Sequence, residues 1–294
     1  MKILITLCEG PHDVAFLYRI LLTDGFVNSK LKLSEYPKPL DEYLSKQAIG
    51  EKISERKLED VRERLLPSDV LVRGEDELVL LYAIGGDGKK ELRSQLIKDI
   101  RSMAALTDPR AFMPTSAGDK YAVFYLFDAD DRGIDKRVDE IGAELSNILS
   151  VDVKLIGNGS KCTIENIDYG AYIFARPDAN YGKLEDILIP LMQKGNEEVF
   201  DKAESYLSTY HEPERLKRLT IERNDKGGLV EKRKSKKGSK FDIQKSKIGV
   251  AGQLQNSGAT NSVCIKHSDY LTFSKIREDK SCQEIISVFG ILLS

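Results

Sequence analysis

The chain of 294 residues has no tryptophan, three histidines, four cysteines and no long apolar run. His12, His211 and His267 are far apart, and Cys8, Cys162, Cys264 and Cys282 show no C-x-x-C spacing, so neither a zinc cluster nor a disulfide framework is expected. Cys8, inside an apolar run, reads as a small core residue. No stretch approaches the roughly 18 apolar residues of a membrane span. The start reaches Glu9 too soon for a signal peptide, so a cytoplasmic protein with no membrane partner is expected. G-K-[ST] in P-loop spacing is missing too. Gly85-Gly86-Asp87-Gly88-Lys89-Lys90 therefore reads as a tight strand-to-helix turn before it reads as a phosphate cradle, and ATP hydrolysis by this chain is not expected.

What the chain does have is enough apolar content for a sizeable core, 41%, and two apolar runs that end in acids. Ile3 to Cys8 is followed by Glu9-Gly10-Pro11-His12-Asp13, and Ala122 to Phe127 by Asp128-Ala129-Asp130-Asp131. Short aliphatic runs bounded by turn formers fit strands buried on both faces of a parallel sheet, and ligands of open α/β sheets bind at the carboxyl ends of such strands. On an extended chain Asp128 and Asp130 project to the same side. A helix starting near Pro11 puts Asp13 in its first turn, where the helix dipole favours a carboxylate. Carboxylates are the hard oxygen ligands that Mg²⁺ or Mn²⁺ prefers, so Glu9, Asp13, Asp128 and Asp130 are candidate ligands. The competing reading is that each acid only caps the next helix. His12 is a candidate by its position beside Glu9, with a purely structural role as the alternative.

Strand and helix patterns alternate along the chain. After the strand at 3–8 comes a helix from about Val14 to Thr23, with Val14, Leu17, Tyr18, Leu21 and Leu22 on one face. Residues 30–66 form a charged excursion with a helix expected over Glu51 to Leu66. A strand at Glu77–Ile84 leads to a helix ending near Ala105. Beyond the Asp-x-Asp strand come a helix at Lys136–Leu149, a fourth strand at Val151–Ile156 and a short strand at Tyr172–Phe174. Helices are expected at Glu197–Leu207, Ile248–Leu254 and Cys282–Leu293. This alternation predicts parallel β-α-β units, hence an α/β fold.

Net charge is only −2, but it is unevenly spread. Arg215 to Lys247 holds thirteen Lys or Arg and four acids, an asymmetry that marks contact with a polyanion. Candidate nucleic-acid-binding residues are Arg215, Lys217, Arg218, Arg223, Lys226, Lys232, Arg233, Lys234, Lys236, Lys237 and Lys240. A solvated loop with no partner is the alternative.

Glu9-Gly10 after the first strand and Asp128-Ala129-Asp130 after a later one resemble the two motifs of the Toprim domain of topoisomerases, primases and nucleases. The closer resemblance is to the OLD-like nuclease branch and related bacterial Toprim proteins. That branch adds an Asp four residues after the Glu, matched by Asp13, and a downstream acidic segment, matched by Pro177 to Leu188 with Glu185 and Asp186. It also carries a late lysine ahead of an apolar helix, for which Lys245 and Lys247 are both candidates. The resemblance implies a mainly parallel Toprim-like sheet flanked by helices over 1–192, with an insertion at about 30–70. It also implies a helical, basic C-terminal extension over 193–294 that completes the active site.

The activity so implied is metal-dependent hydrolysis of phosphodiester bonds in DNA or RNA. One or two Mg²⁺ or Mn²⁺ ions are implied: the first on Glu9, Asp13, Asp128 and Asp130, the second completed by Glu185 and Asp186, with Lys245 or Lys247 stabilising charge on the phosphate. Glu9 is alternatively a general acid or base. Relatives of this branch work with ATPases in defence against phage or in DNA repair, so an ATPase partner is implied; a homo-oligomer is left open. The alternative is a non-catalytic or partner-gated nucleic-acid-binding subunit.

Overall fold

The computed structural model describes residues 1–49, 65–107, 118–234 and 241–294. The first apolar run forms β1 (Lys2–Cys8), and α1 (Pro11–Thr23) opens with Pro11, whose missing N–H is not needed at a helix start. β2 (Val27–Asn28), α2 (Leu40–Ile49) and β3 (Asp69–Arg73) follow. Then come β4 (Glu77–Ala83), α3 (Lys90–Thr107), β5 (Lys120–Asp128) and α4 (Ile134–Leu149). A hairpin of β6 (Lys161–Ile164) and β7 (Ile167–Phe174) precedes α5 (Glu185–Gln193) and α6 (Glu197–Tyr210). A second hairpin, β8 (Arg218–Arg223) and β9 (Leu229–Lys234), leads to α7 (Ile243–Gln255), α8 (Asn261–His267), α9 (Phe273–Glu278) and α10 (Lys280–Leu292).

The fold is α/β. Its mixed sheet runs β2-β3-β4-β1-β5-β7-β6, and the central four strands, β4-β1-β5-β7, are all parallel. Antiparallel strands close both edges. Because side chains alternate across a strand, each central strand feeds two cores. Leu4, Cys8, Phe124 and Phe174 face α1, α5 and α7 to α10, whereas Ile3, Ile5, Val123 and Ile173 face α2, α3 and α4. The helices of segment 193–294 thereby join α1 and α5 in one of the two cores, α8 and α9 packing on α1 and α10 on β7. Phe289 of α10 meets Phe124 of β5 edge to face, with ring centroids 5.2 Å apart; removing such a buried ring costs about 3–5 kcal/mol.

Two expectations need correction. Val151–Ile156 is not a strand: Val153 and Leu155 are buried while Ile156 is exposed. The β7 edge is taken by β6 and by Asn158, whose side chain accepts from Ile173 N–H and donates to Ile173 O. Alternation identifies an extended segment, but pairing needs a free edge. Next, the basic stretch contains a β-hairpin, so the C-terminal segment is not purely helical. The sequence carries no clear signal for β2, β3, β6, α2, α8 and α9, whose apolar runs are short. Most of the helix expected over Glu51 to Leu66 lies outside the described residues. Among the described residues, no helix is long and apolar enough to cross a membrane.

Candidate functional site

The topology opens a crevice at the carboxyl ends of β1 and β5. These strands are neighbours, yet α1 leaves β1 over one face of the sheet and α4 leaves β5 over the other, so their connecting loops diverge. Glu9 and Asp128 stand on the two lips, and Asp128 N–H donates to Glu9 Oε2 at 3.2 Å. Gly85 is packed underneath. Its N–H donates to Cys8 O at 2.7 Å, and a methyl there would fall 2.2 Å from Glu9 Cα.

Two cavities meet at this crevice and share Glu9, Asp128 and Lys245. The inner one, about 360 Å³, is also lined by His12, Asp13 and Glu185. Its acids come from four segments, and three are buried: Asp13, Asp128 and Glu185 are 5%, 8% and 1% exposed. Backbone amides orient two of them. Gly10 N–H donates to Asp13 Oδ2 at 2.7 Å, and Leu184 N–H to Asp128 Oδ1 at 2.8 Å.

Charge in the inner cavity is divided unequally. Burial, opposed by the Gly10 amide and reinforced by neighbouring Glu9, pushes the Asp13 carboxyl up to about 7. Burial, with Asp13 and Glu9 close by, pushes Asp128 up to about 9. Glu185 goes the other way: its burial is outweighed by His12, Lys245 and Lys183, which hold its carboxyl below the ordinary value. His12 Nδ1 lies 3.2 Å and Lys245 Nζ 3.7 Å from Glu185 Oε1. Glu185 Oε2 is buried with no hydrogen-bond partner, and Lys183 Nζ lies 4.0 Å from it.

The outer cavity, about 720 Å³, adds Asp130, Asp131, Arg176, Tyr181, Lys183, Asp186 and Phe241. Asp130 is not on the strand with Asp128. β5 ends at Asp128, and Asp130 takes a left-handed conformation, φ 48°, that redirects its side chain. Its backbone forms a two-bond bridge with Gly182, and its carboxylate lies 3.5 Å from Arg137 Nη2. Asp186 accepts from Lys183 N–H and from Gln244 Nε2, both at 3.0 Å. The division expected between the two acid sets is thus redrawn: Glu185 joins Glu9, Asp13 and Asp128, whereas Asp130 and Asp186 line the outer cavity.

Lys245 and Lys247 separate cleanly. Lys245, in the first turn of α7, lines both cavities, and Glu185, Asp242 and the acids around it hold its ammonium above its ordinary value despite partial burial. Lys247 is turned away and buried between helices, with its Nζ 2.6 Å from Glu204 and 3.3 Å from Gln193. It does not reach the crevice, because two residues along a helix turn a side chain by more than half a circle.

Arg137, which the sequence did not single out, ties the acids together. Buried in α4, it donates from Nε to Asp128 O at 3.0 Å and places Nη2 3.8 Å from Glu9 Oε2. Arg93 does similar work below the glycine turn. It is ion-paired in bidentate fashion to Glu144 and donates to the carbonyls of Ile84, Gly85 and Gly86. Those carbonyls are therefore occupied by a guanidinium, as a structural turn requires.

Of the basic candidates, Arg215 lies in a single 3₁₀ turn, Lys217 beyond it, Arg218 and Arg223 on β8, Lys226 in the turn, and Lys232, Arg233 and Lys234 on β9. Lys236, Lys237 and Lys240 lie outside the described residues. Register sets Arg218 directly opposite Lys234, and Leu219, Ile221 and Leu229 are exposed on this two-stranded ribbon.

Among the described residues, no group of three or more His, Cys, Asp or Glu side chains is arranged as it stands to hold an ion. The donor chemistry nevertheless suits a hard divalent cation: carboxyls whose pKa burial and neighbouring acids raise, and one buried oxygen, Glu185 Oε2, with no donor. Comparison with protein-family models, with curated proteins and with solved structures finds no match for the chain.

Proposed function

We propose that this chain is a divalent-metal-dependent nuclease of the Toprim type, related to the OLD-like branch, acting in the cytoplasm on phosphodiester bonds of DNA or RNA. The observation that carries the reading is the convergence of Glu9, Asp13, Asp128 and Glu185, from the turn after β1 and from α1, β5 and α5, on one cavity that also receives Lys245. Glu9, Asp13, Asp128 and Glu185 would hold Mg²⁺ or Mn²⁺, with Asp130 and Asp186 next to a second ion. Bound there, the metal supplies Lewis acidity and lowers the pKa of a water. Lys245 meets the phosphate and stabilises its growing charge. His12 fixes Glu185 through Nδ1, and Arg137 keeps Glu9 and the Asp128 loop in register. The basic ribbon holds the backbone of the nucleic acid. An ATPase partner, a place in phage defence or repair, and self-association rest on the resemblance.

A second reading, a non-catalytic or partner-gated nucleic-acid-binding subunit, is favoured by the lack of a ready three-ligand group among the described residues. The experiment that separates them is incubation with plasmid, single-stranded DNA and RNA in Mg²⁺ or Mn²⁺, beside Glu9→Ala and Asp128→Ala. Cleavage abolished by both substitutions is expected. Cleavage that survives both would remove the site, and binding without cleavage would favour the second reading.

A further inference from the structure

The outer cavity pairs its acids with a different set of groups. Tyr181 is half exposed on its wall, Phe241 lines it, and the Arg176 guanidinium lies 5.3 Å from the Tyr181 ring centroid. Arg176 is exposed and has no carboxylate partner among the described residues. The ring of Phe241 is stacked on His211, with centroids 3.6 Å apart and planes 10° off parallel. The loop bearing Tyr181 is also tied down. Arg176 N–H donates to Tyr181 O at 2.9 Å, Ile134 N–H to Asn180 O at 2.9 Å, and Gly182 is bridged to Asp130. Gly182 itself has φ 128°, and a side chain there would strike Arg176 N and Asp186.

Exposed aromatic rings and a guanidinium plane are the surfaces on which unpaired bases stack; a paired base in a duplex has no free face to offer. A cavity of about 720 Å³ has room for a splayed nucleotide. We infer that the substrate is single-stranded or locally unpaired nucleic acid, one of whose bases stacks at Tyr181 and Phe241 while Arg176 and Lys245 meet the flanking phosphates. The inference rests on the nuclease reading, because it places a base beside the acids that would cut its backbone.

The test is fluorescence anisotropy of a labelled single-stranded DNA oligonucleotide, and of the same strand annealed to its complement, with Ca²⁺ in place of Mg²⁺, followed by cleavage of both in Mg²⁺. The single strand is expected to bind at least about tenfold tighter than the duplex. Tyr181→Ala and Phe241→Ala should each weaken it roughly 5- to 150-fold, the range for one base stacked on an aromatic ring, and Tyr181→Phe should restore binding. Since Tyr181 is exposed, loss of fold does not enter for that variant. Equal binding of duplex and single strand, or a Tyr181→Ala variant that binds as wild type, would overturn the inference. If duplex and single strand are cut alike and Asp128→Asn stops both, the inference fails and the nuclease reading stands. Single-strand binding through Tyr181 without any cleavage supports the ligand class and removes hydrolysis.

Discussion

Gly85 shows how tightly one residue constrains the crevice. A Cβ at this position would sit 2.2 Å from the Glu9 Cα and 2.7 Å from Cys8 O, clashes that only backbone displacement relieves. Gly85→Ala should destabilise the protein by about 1–3 kcal/mol and depress cleavage further than stability alone accounts for, read by denaturant unfolding beside a cleavage assay. Asp13 and Asp128 make a second prediction at this scale. Their carboxyls rise from an ordinary 3.8 to about 7 and about 9 on folding, so between those limits the folded state binds more protons than the unfolded one. The stability they confer is full below about pH 4 and is lost as pH rises through about 7 and then about 9. The Tm of metal-free protein should therefore fall across this window. Asp128→Asn should flatten the upper part of the fall, and Mg²⁺ should raise Tm most at the alkaline end.

At the scale of elements, α7 carries two lysines with opposite tasks. Lys245 faces the cavities at the helix start, whereas Lys247 bridges α6 and the end of α5. Lys245→Ala should lower cleavage by about 10²–10³-fold, as removal of one charge-stabilising donor does, with stability changed by less than about 1 kcal/mol. Lys247→Ala should do the reverse: a loss of about 1–3 kcal/mol from the space vacated by its buried side chain, with the cleavage rate of folded protein near wild type. Parallel thermal melts and rate measurements check both.

For the whole molecule, acid and base are segregated: the cavities gather carboxylates while the β8–β9 ribbon gathers cations outside both cores. Arg218 stands opposite Lys234, and Lys232 and Lys234 share Glu222 as an ion-pair partner within the ribbon, so one carboxylate offsets only part of its positive charge. Changing Arg218 and Lys234 to Ser should reduce nucleic-acid affinity and flatten the slope of log K against log salt by about 0.7–0.9 for each phosphate no longer neutralised. Melting temperature should stay unchanged, because the ribbon supplies no residue to either core.

The sequence by itself determined the α/β class, the central strands β1, β4 and β5, α1 with Asp13 in its first turn, and the candidate acids, since apolar runs ending in turn formers are local signals. It also carried the charge asymmetry. Only the tertiary structure decided which acids share a cavity, because that depends on α1 and α4 leaving neighbouring strands over opposite faces. It likewise separated Lys245 from Lys247 through their packing on α7, took Asp130 off its strand through a left-handed turn, and brought His12 to Glu185 from 173 residues away. Arg137 illustrates the divide best. As an arginine on an amphipathic helix it carries no local mark, and its role follows from the backbone carbonyl of Asp128 and the carboxylate of Glu9 lying within its reach.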